Sequence, residues 1–326
     1  MTPGNSVLVT GAAGFIGRHT VTAFHAAGHQ VTAVDLRPAP ARLAAMARWR
    51  RGDFADAALL ADIAAGHFTT VVHQAGNSST RAPAGPELDE TNTLGPLRLA
   101  DVCRTGRTRL IYASSHSVYG TLHHHTPIAE DADTDPTRCS GPLNPYAASK
   151  LALDQQMRTR HATGLDWIGL RYTNVFGPDE TDKGPMASIL SQLLRHAADT
   201  GHIRIFADSL TAARDYISVE SVTTTIVHLA TARHPVPAAV YNLGTNCAIT
   251  FADIAQWCAR LHREATGHPL HVELIQNPVA DAYQYFTCAD MTALDKALPD
   301  RPTESAVFVQ ARAAELFAAF RRRATR

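Results

Sequence analysis

The sequence predicts an α/β protein: a doubly wound parallel sheet followed by a smaller mixed α/β portion. Three observations carry this. Apolar strand-like runs alternate with helical patterns through the first half of the 326 residues, as in a parallel sheet covered on both faces. A turn with Gly11, Gly14 and Gly17 follows the first run at once. After residue 175 the alternation breaks into loops rich in Gly, Pro and Asp, with short strands and several helices between them.

Taken in order, SVLVT (6–10) leads to a helix from about Gly14, and QVTAV (30–34) to another helix. TTVVHQ (69–74) precedes a long helix from about Glu87, TRLIYAS (108–114) a helix from about Asn144, and LDWIGLR (165–171) closes the series. HIRIFA (202–207) and AVYNLG (239–244) are the clearest later strands. The division predicted is 1–174 for the first domain and 175–326, mainly, for a second portion with a cleft between them. Sites in doubly wound sheets lie at the carboxyl ends of the strands.

Composition narrows the function. With 30 basic and 30 acidic residues the formal net charge is zero, so no global field recruits nucleic acid or an anionic membrane. The one dense basic run, Arg321 to Arg323, reads as a solvated helix end. Five scattered cysteines without a CxxC pair suit a reducing, cytoplasmic setting. SVLVT is too short for a signal core or a membrane span. The run His123-His124-His125 lies in the longest polar loop (121–145). Adjacent imidazoles rarely surround one ion and no further ligand stands at metal spacing, so no metal is expected.

The candidate chemistry begins at VTGAAGFIGRH. Glycines at this strand-to-helix turn allow close backbone approach and point a helix N-terminus at a pyrophosphate. Asp35, ending the second strand, can accept ribose hydroxyls and repel a 2′-phosphate, which favours NAD; Arg37, two residues on, could instead hold that phosphate, which leaves NADP open. Asp53 is placed either for the adenine or as the cap of the next helix. Tyr146 and Lys150, at i and i+4, share a helix face. A nearby ammonium would lower the phenol pKa and make Tyr146 a general base. Ser114 and Ser115 end the preceding strand and offer hydroxyls to a substrate alcohol.

VTGAAGFIG, YASS-x-x-x-YG, YAASK and RYTNVFGP together resemble the extended short-chain dehydrogenase/reductase superfamily, the NAD-dependent epimerases and dehydratases, over essentially the whole chain. The resemblance implies a Rossmann domain, a tightly bound NAD or NADP and a nucleotide-sugar substrate. Its Ser–Tyr–Lys triad falls on Ser115, Tyr146 and Lys150. The cofactor site it implies adds Phe15, Ile16, Phe54, Gln74, Ala75, Gly76 and Asn92 to the glycines, Asp35, Arg37 and Asp53. Dehydratases of the family carry an Asp-Glu pair where this chain has His116-Ser117, and 3,5-epimerases a cysteine absent here, so neither reaction is expected.

A narrower resemblance rests on HQAGNSSTR, PLNPYAASK, RYTNVFGPDETDKGPMAS and YQYFTCADMTAL. These are similar to the ADP-glycero-manno-heptose 6-epimerases, whose loop lysine is a second acid/base. The role falls on Lys183, one of only three lysines with Lys150 and Lys296. An arginine would serve a surface ion pair equally well but cannot exchange a proton at neutral pH. The substrate site implied also takes in Ser78, Ser79, Ser117, Met186 and Tyr283, with Asn174 and Arg214 for the diphosphate. From the residues alone Asn174 could equally brace a turn, and Arg214 pair with Asp215. His116 stands where the heptose enzymes have a small residue, and Asn77 where they have a cysteine. His116 either reaches the substrate or fills space behind Ser115.

The expectation is an ADP-heptose epimerase acting at C6. An ADP-heptose or UDP-hexose 4-epimerase, a net reductase, and a regulatory protein on the same scaffold are the alternatives. Enzymes of this type commonly self-associate through helices beside the Tyr–Lys helix, so a homo-oligomer is expected.

Overall fold

The computed structural model describes residues 5–160, 164–232, 234–280 and 283–324, leaving aside the side chains of 181 and 182. The first half runs β1 (Ser6–Thr10), α1 (Phe15–Ala26), β2 (Gln30–Asp35), β3 (Arg48–Arg51), α2 (Ala57–Ala64) and β4 (Thr70–His73). It continues with α3 (Pro86–Asp89), α4 (Gly95–Thr105), β5 (Arg109–Ser115), α5 (Pro145–Thr159) and β6 (Trp167–Tyr172). Then come β7 (Asn174–Phe176), α6 (Ile189–Thr200), β8 (His202–Phe206), β9 (Ala213–Ser218), α7 (Val219–Thr231) and β10 (Ala239–Leu243). The chain closes with β11 (Ala248–Thr250), α8 (Phe251–Thr266), β12 (His271–Ile275), α9 (Thr292–Ala297) and α10 (Ala306–Ala324).

Seven strands form the main sheet in the order β10-β6-β5-β4-β1-β2-β3, every pair parallel. The doubly wound α/β class is the observed one. Residues 1–174 supply six of these strands, and β10 adds the seventh edge from much later in the chain. Two small sheets, β11-β9-β7 and β12-β8, belong to the later part.

Strand periodicity explains the layering. Along β1, Val7 and Val9 join the core on one face and Leu8 the core on the other. The first core is completed by Phe24 of α1 and Val222, Ile226 and Leu229 of α7. The second is completed by Leu59 and Ile63 of α2, Leu99 of α4, and Leu153 and Met157 of α5. Each such fully buried aliphatic side chain stabilises the fold by about 1.5–3 kcal/mol. A third core joins α6, α8 and α10 to β8 and β9.

Two glycines have no substitute in the first turn. A Cβ on Gly17 would lie 2.1 Å from the Gly11 carbonyl oxygen, so α1 can pack this closely on β1 only with hydrogen there. Gly11 is left-handed at φ 65°, and its Cβ would meet the Ala75 nitrogen at 2.5 Å.

Candidate active site

The carboxyl ends of the sheet strands open into a cavity of about 1120 Å³. At one end, Gly11, Gly14, Phe15, Ile16 and Gly17 form the floor between β1 and α1. Gly14 caps α1 without a side chain, and the first turn of that helix carries no acid, which leaves its positive dipole end open to a phosphate. Asp35 terminates β2 beside it and is buried. Its Oδ2 accepts from the Ala13 amide at 2.9 Å, and its Oδ1 from the Arg37 amide at 2.9 Å and Arg37 Nε at 3.1 Å. Arg37 therefore folds back on Asp35, its Nη2 also donating to Oδ2 at 3.4 Å, so the carboxylate's acceptor sites are filled and a further donor has to displace the exposed guanidinium. Asp53 Oδ1 accepts from the Ala55 amide, whereas α2 is capped by Asp56 without a side-chain bond.

The end of β4 supplies Gln74, Ala75 and Gly76 to the wall. Gln74 Nε2 donates to Tyr172 Oη at 2.8 Å, a partner the motifs gave no reason to expect. Two expected residues, Ser79 and Asn92, are not in the wall. Ser79 Oγ is taken by the Arg81 amide in its own turn. Asn92 is fully buried behind the loop and bonds both the amide and the carbonyl of Asn77, at 2.8 and 2.9 Å. It sits in one turn of π-helix, Glu90–Leu94, between α3 and α4. Such turns recur near functional sites. Ser78 lines the cavity as expected.

Helix α5 begins at Asn144, whose side chain accepts from the Ala147 amide at 2.9 Å, with Pro145 in its first turn. That cap aims Tyr146 and Lys150 at the end of β5. Ser115 Oγ and Ser117 Oγ are 2.7 Å apart, and Ser115 hydrogen-bonds Tyr146. The i, i+4 spacing leads to the expectation that Lys150 lowers the Tyr146 phenol. Burial dominates instead and raises it; the bond with Ser115 works downward and the Asp154 charge upward. Lys150 Nζ donates to the Ala113 carbonyl at 3.0 Å, and burial pulls its pKa down to about 8 against the Asp154 carboxylate.

Behind this row lies a buried polar network. Asp154 accepts from Tyr112 Oη at 3.0 Å, Ser114 Oγ at 2.9 Å and Arg171 Nε at 2.8 Å. Arg171, wholly buried, also bonds Tyr119 Oη at 2.9 Å and pairs with Asp133. Ser114 thus faces the network, which leaves Ser115 as the hydroxyl beside Tyr146.

The later part contributes the other wall. Glu180, almost fully buried, accepts from the Ser188 amide at 2.6 Å and Ser188 Oγ at 2.9 Å, and pairs with Lys183 Nζ at 3.4 Å. The Lys183 ammonium also stands 5.4 Å from the centroid of the Phe15 ring. Asp179, before Glu180, is left-handed at φ 65° and held by Arg42 Nη1 at 2.7 Å. Met186 lines the same loop. Asn174 Nδ2 donates to the Asp215 carbonyl at 3.0 Å, so this wall residue also braces β7 on β9. Arg214, buried in the wall, has no carboxylate partner among the described residues. Its guanidinium lies 5.6 Å from the Phe251 ring centre and 5.2 Å from that of Tyr283. Asp215 turns away and binds Thr245 and the Ala289 amide. His116 lines the cavity with a buried ring. His123 and His125 do not join it: His123 bonds the Thr137 carbonyl and His125 stacks on Phe286.

Comparison with known proteins fits this arrangement. Residues 7–244 match the family described as NAD dependent epimerase/dehydratase. The chain belongs to that family. Among solved structures it is similar to MoeE5 in complex with UDP-glucose and NAD: 28% identity, 96% of this chain, 99% of that chain, TM-score 0.77. It is similar to UDP-glucose 4-epimerase of Thermotoga maritima at 25% identity, 98% and 99% coverage and TM-score 0.80. The ADP-L-glycero-D-manno-heptose-6-epimerase of Helicobacter pylori shares the fold at 23% identity, 98% and 96% coverage and TM-score 0.79. As a member of this family the chain is an NAD-dependent enzyme, and the crowded Gly11–Gly17 turn, the bare N-terminus of α1 and the Asp35 carboxylate suit that dinucleotide. Among the described residues, no group of three or more His, Cys, Asp or Glu could hold a metal, and no helix is long and apolar enough to cross a membrane.

Proposed function

We propose that this family member is a nucleotide-sugar epimerase acting on ADP-glycero-manno-heptose, with inversion at C6. The observation that carries the proposal is the placement of Lys183 in the cavity wall that also holds Ser115, Tyr146 and Lys150. That gives the site two groups able to move a proton, one from each part of the chain. The sequence of the loop, KGPMAS, and of YQYFTCADM supports the ADP-heptose substrate.

NAD supplies a hydride acceptor that can return the hydride to the same carbon. Tyr146 removes the hydroxyl proton at the carbon being oxidised, with Ser115 holding that hydroxyl. The hydrogen bond with Ser115 is the influence that favours the phenolate as it forms, and Lys150 stands on the same helix with its Nζ 3.0 Å from the Ala113 carbonyl. Once the keto sugar has turned its other face, Lys183 donates the proton that restores the alcohol. Arg214 grips the diphosphate, since a buried guanidinium without a carboxylate partner is an anion site in waiting. The aromatic rings of Phe251 and Tyr283 hold it in place. Among the described residues no cysteine lines the cavity, which agrees with an acid other than a thiol.

A second reading, a UDP-hexose 4-epimerase, draws on the 28% identity to MoeE5, which binds UDP-glucose and UDP-glucuronic acid in its complexes. The test is to incubate the purified protein, with no added cofactor, with ADP-glycero-manno-heptose, UDP-glucose and UDP-glucuronic acid in parallel. Chromatographic appearance of an epimer from the first substrate alone is expected. Turnover confined to a UDP sugar would replace the first reading by the second.

A further inference from the structure

Glu180 is a carboxylate in the cavity wall to which the reaction above gives no part. Only 1% of its surface is exposed. Its Oε1 accepts from the Ser188 amide at 2.6 Å, and its Oε2 from Ser188 Oγ at 2.9 Å and from Ser191 Oγ. Ser188 is the N-cap of α6, whose first turn carries no acid of its own. A carboxylate at that end of a helix is favoured by the dipole. Three donors and a helix end therefore fix the position of this group.

The remaining bond of Glu180 is of another kind. Lys183 Nζ donates to its Oε1 at 3.4 Å and also stands 5.4 Å from the centroid of the Phe15 ring, within cation–π range. A lysine side chain on a loop has many rotamers to choose from, and an anchored carboxylate selects among them. An ammonium has three N–H donors, so one held by Glu180 leaves two for the substrate.

A parallel elsewhere in the fold shows what the lysine adds. Glu304 accepts from the Ser218 amide at 3.0 Å and from the hydroxyls of Ser218 and Ser221 at the start of α7. That carboxylate braces a helix end in the same way and does not line the cavity. Bracing thus accounts for the serine contacts of Glu180 and not for its bond with Lys183.

We propose that Glu180 is a positioning residue, whose carboxylate holds the Lys183 ammonium at the cavity wall for proton transfer to the sugar. This rests on the acid role given to Lys183 above. In that step an N–H bond of Lys183 breaks and the alcohol O–H forms as hydride returns to carbon. Glu180 neither gains nor loses a proton.

The test measures kcat, KM and retained NAD, on whichever of the three sugars above is turned over, for Glu180→Gln, which keeps the shape and removes the charge. The substitution is made in the wild-type chain and in Lys183→Met, with Glu304→Gln as the control for helix bracing. The expected result is a loss of about tenfold or more in kcat for Glu180→Gln, with KM and NAD unchanged. In Lys183→Met the same substitution should cost nothing further, and Glu304→Gln should lower the melting temperature without lowering kcat. Wild-type kcat in Glu180→Gln would overturn the proposal. An equal loss in both backgrounds, or the same loss in Glu304→Gln, would overturn it too, as the mark of a structural role. Should Glu180→Gln fail to fold, Glu180→Asp, which draws the charge back by one methylene, takes its place, and a loss confined to the chain with Lys183 is again expected. Full activity of Lys183→Met would overturn the acid role of Lys183 and this proposal with it. An inactive Lys183→Met beside a fully active Glu180→Gln would overturn this proposal alone. No turnover of any of the three sugars by the wild type would overturn both.

Discussion

Asn92 clamps Asn77: its Oδ1 accepts from the Asn77 amide at 2.8 Å and its Nδ2 donates to the Asn77 carbonyl at 2.9 Å. The same Nδ2 reaches Ser149 Oγ at 3.1 Å, one residue before Lys150 on α5. A single buried amide thus ties the loop after β4 to the helix that carries Tyr146 and Lys150. Asn92→Ala is expected to strand the two backbone groups of Asn77, cost about 2 kcal/mol in denaturant unfolding, and lower the amount of NAD retained on purification. Unchanged stability and full NAD content would show that the clamp is idle.

Tyr146 and Lys183 are expected to fail differently from their neighbours. Tyr146→Phe keeps the ring and removes the proton acceptor, so kcat should fall by about 10² or more with NAD still bound. Lys183→Met should lower kcat comparably. Lys183→Arg, which keeps the cation near Glu180 and Phe15, should not rescue it, because arginine does not give up a proton at neutral pH. Rescue by arginine would mean that Lys183 contributes charge alone.

The pH dependence turns on Lys150. Its folded pKa, about 8, lies below the ordinary lysine value because burial disfavours the ammonium, and Asp154 works against that. Activity that needs this charge should decline as pH rises through about 8. Asp154→Asn removes the upward influence, so the decline should move to lower pH, by about one unit. The comparison is made on kcat against pH. An inflection that stays in place would show that Asp154 serves only the Arg171 network. The stability sign is separate: a lysine held below its unfolded pKa costs stability below pH 8, and the cost fades as pH rises through 8 to about 10.4.

Much of this was legible in the sequence because its signals are local. Strands β1, β2, β4, β5, β6, β8 and β10 were visible as short apolar runs, and the Gly11–Gly17 turn and the Tyr146–Lys150 pair sit on the elements their spacing implied. What escaped is non-local. Strand β3, Arg48–Arg51, falls where only a helix was expected between β2 and β4, yet it pairs with β2 at the sheet edge, where polar side chains are tolerated. Asn92, which the resemblance alone assigned to the cofactor, instead turns inward from a π-helical turn and lies buried behind the loop. Glu180 gave no signal apart from Lys183, and its role appears only once Ser188 is folded back on it. The direction of the Tyr146 shift could not be read from spacing, since burial is a property of the whole fold.

The central claim is that one carbon of a bound nucleotide sugar is oxidised and reduced again within a single site. Proton NMR of ADP-glycero-manno-heptose in deuterated water, with the protein and no added cofactor, addresses it directly. The account expects an epimer with no deuterium at the inverted carbon, and coupling constants that place the inversion at C6. Deuterium at that carbon would contradict hydride return and point to proton abstraction from carbon instead.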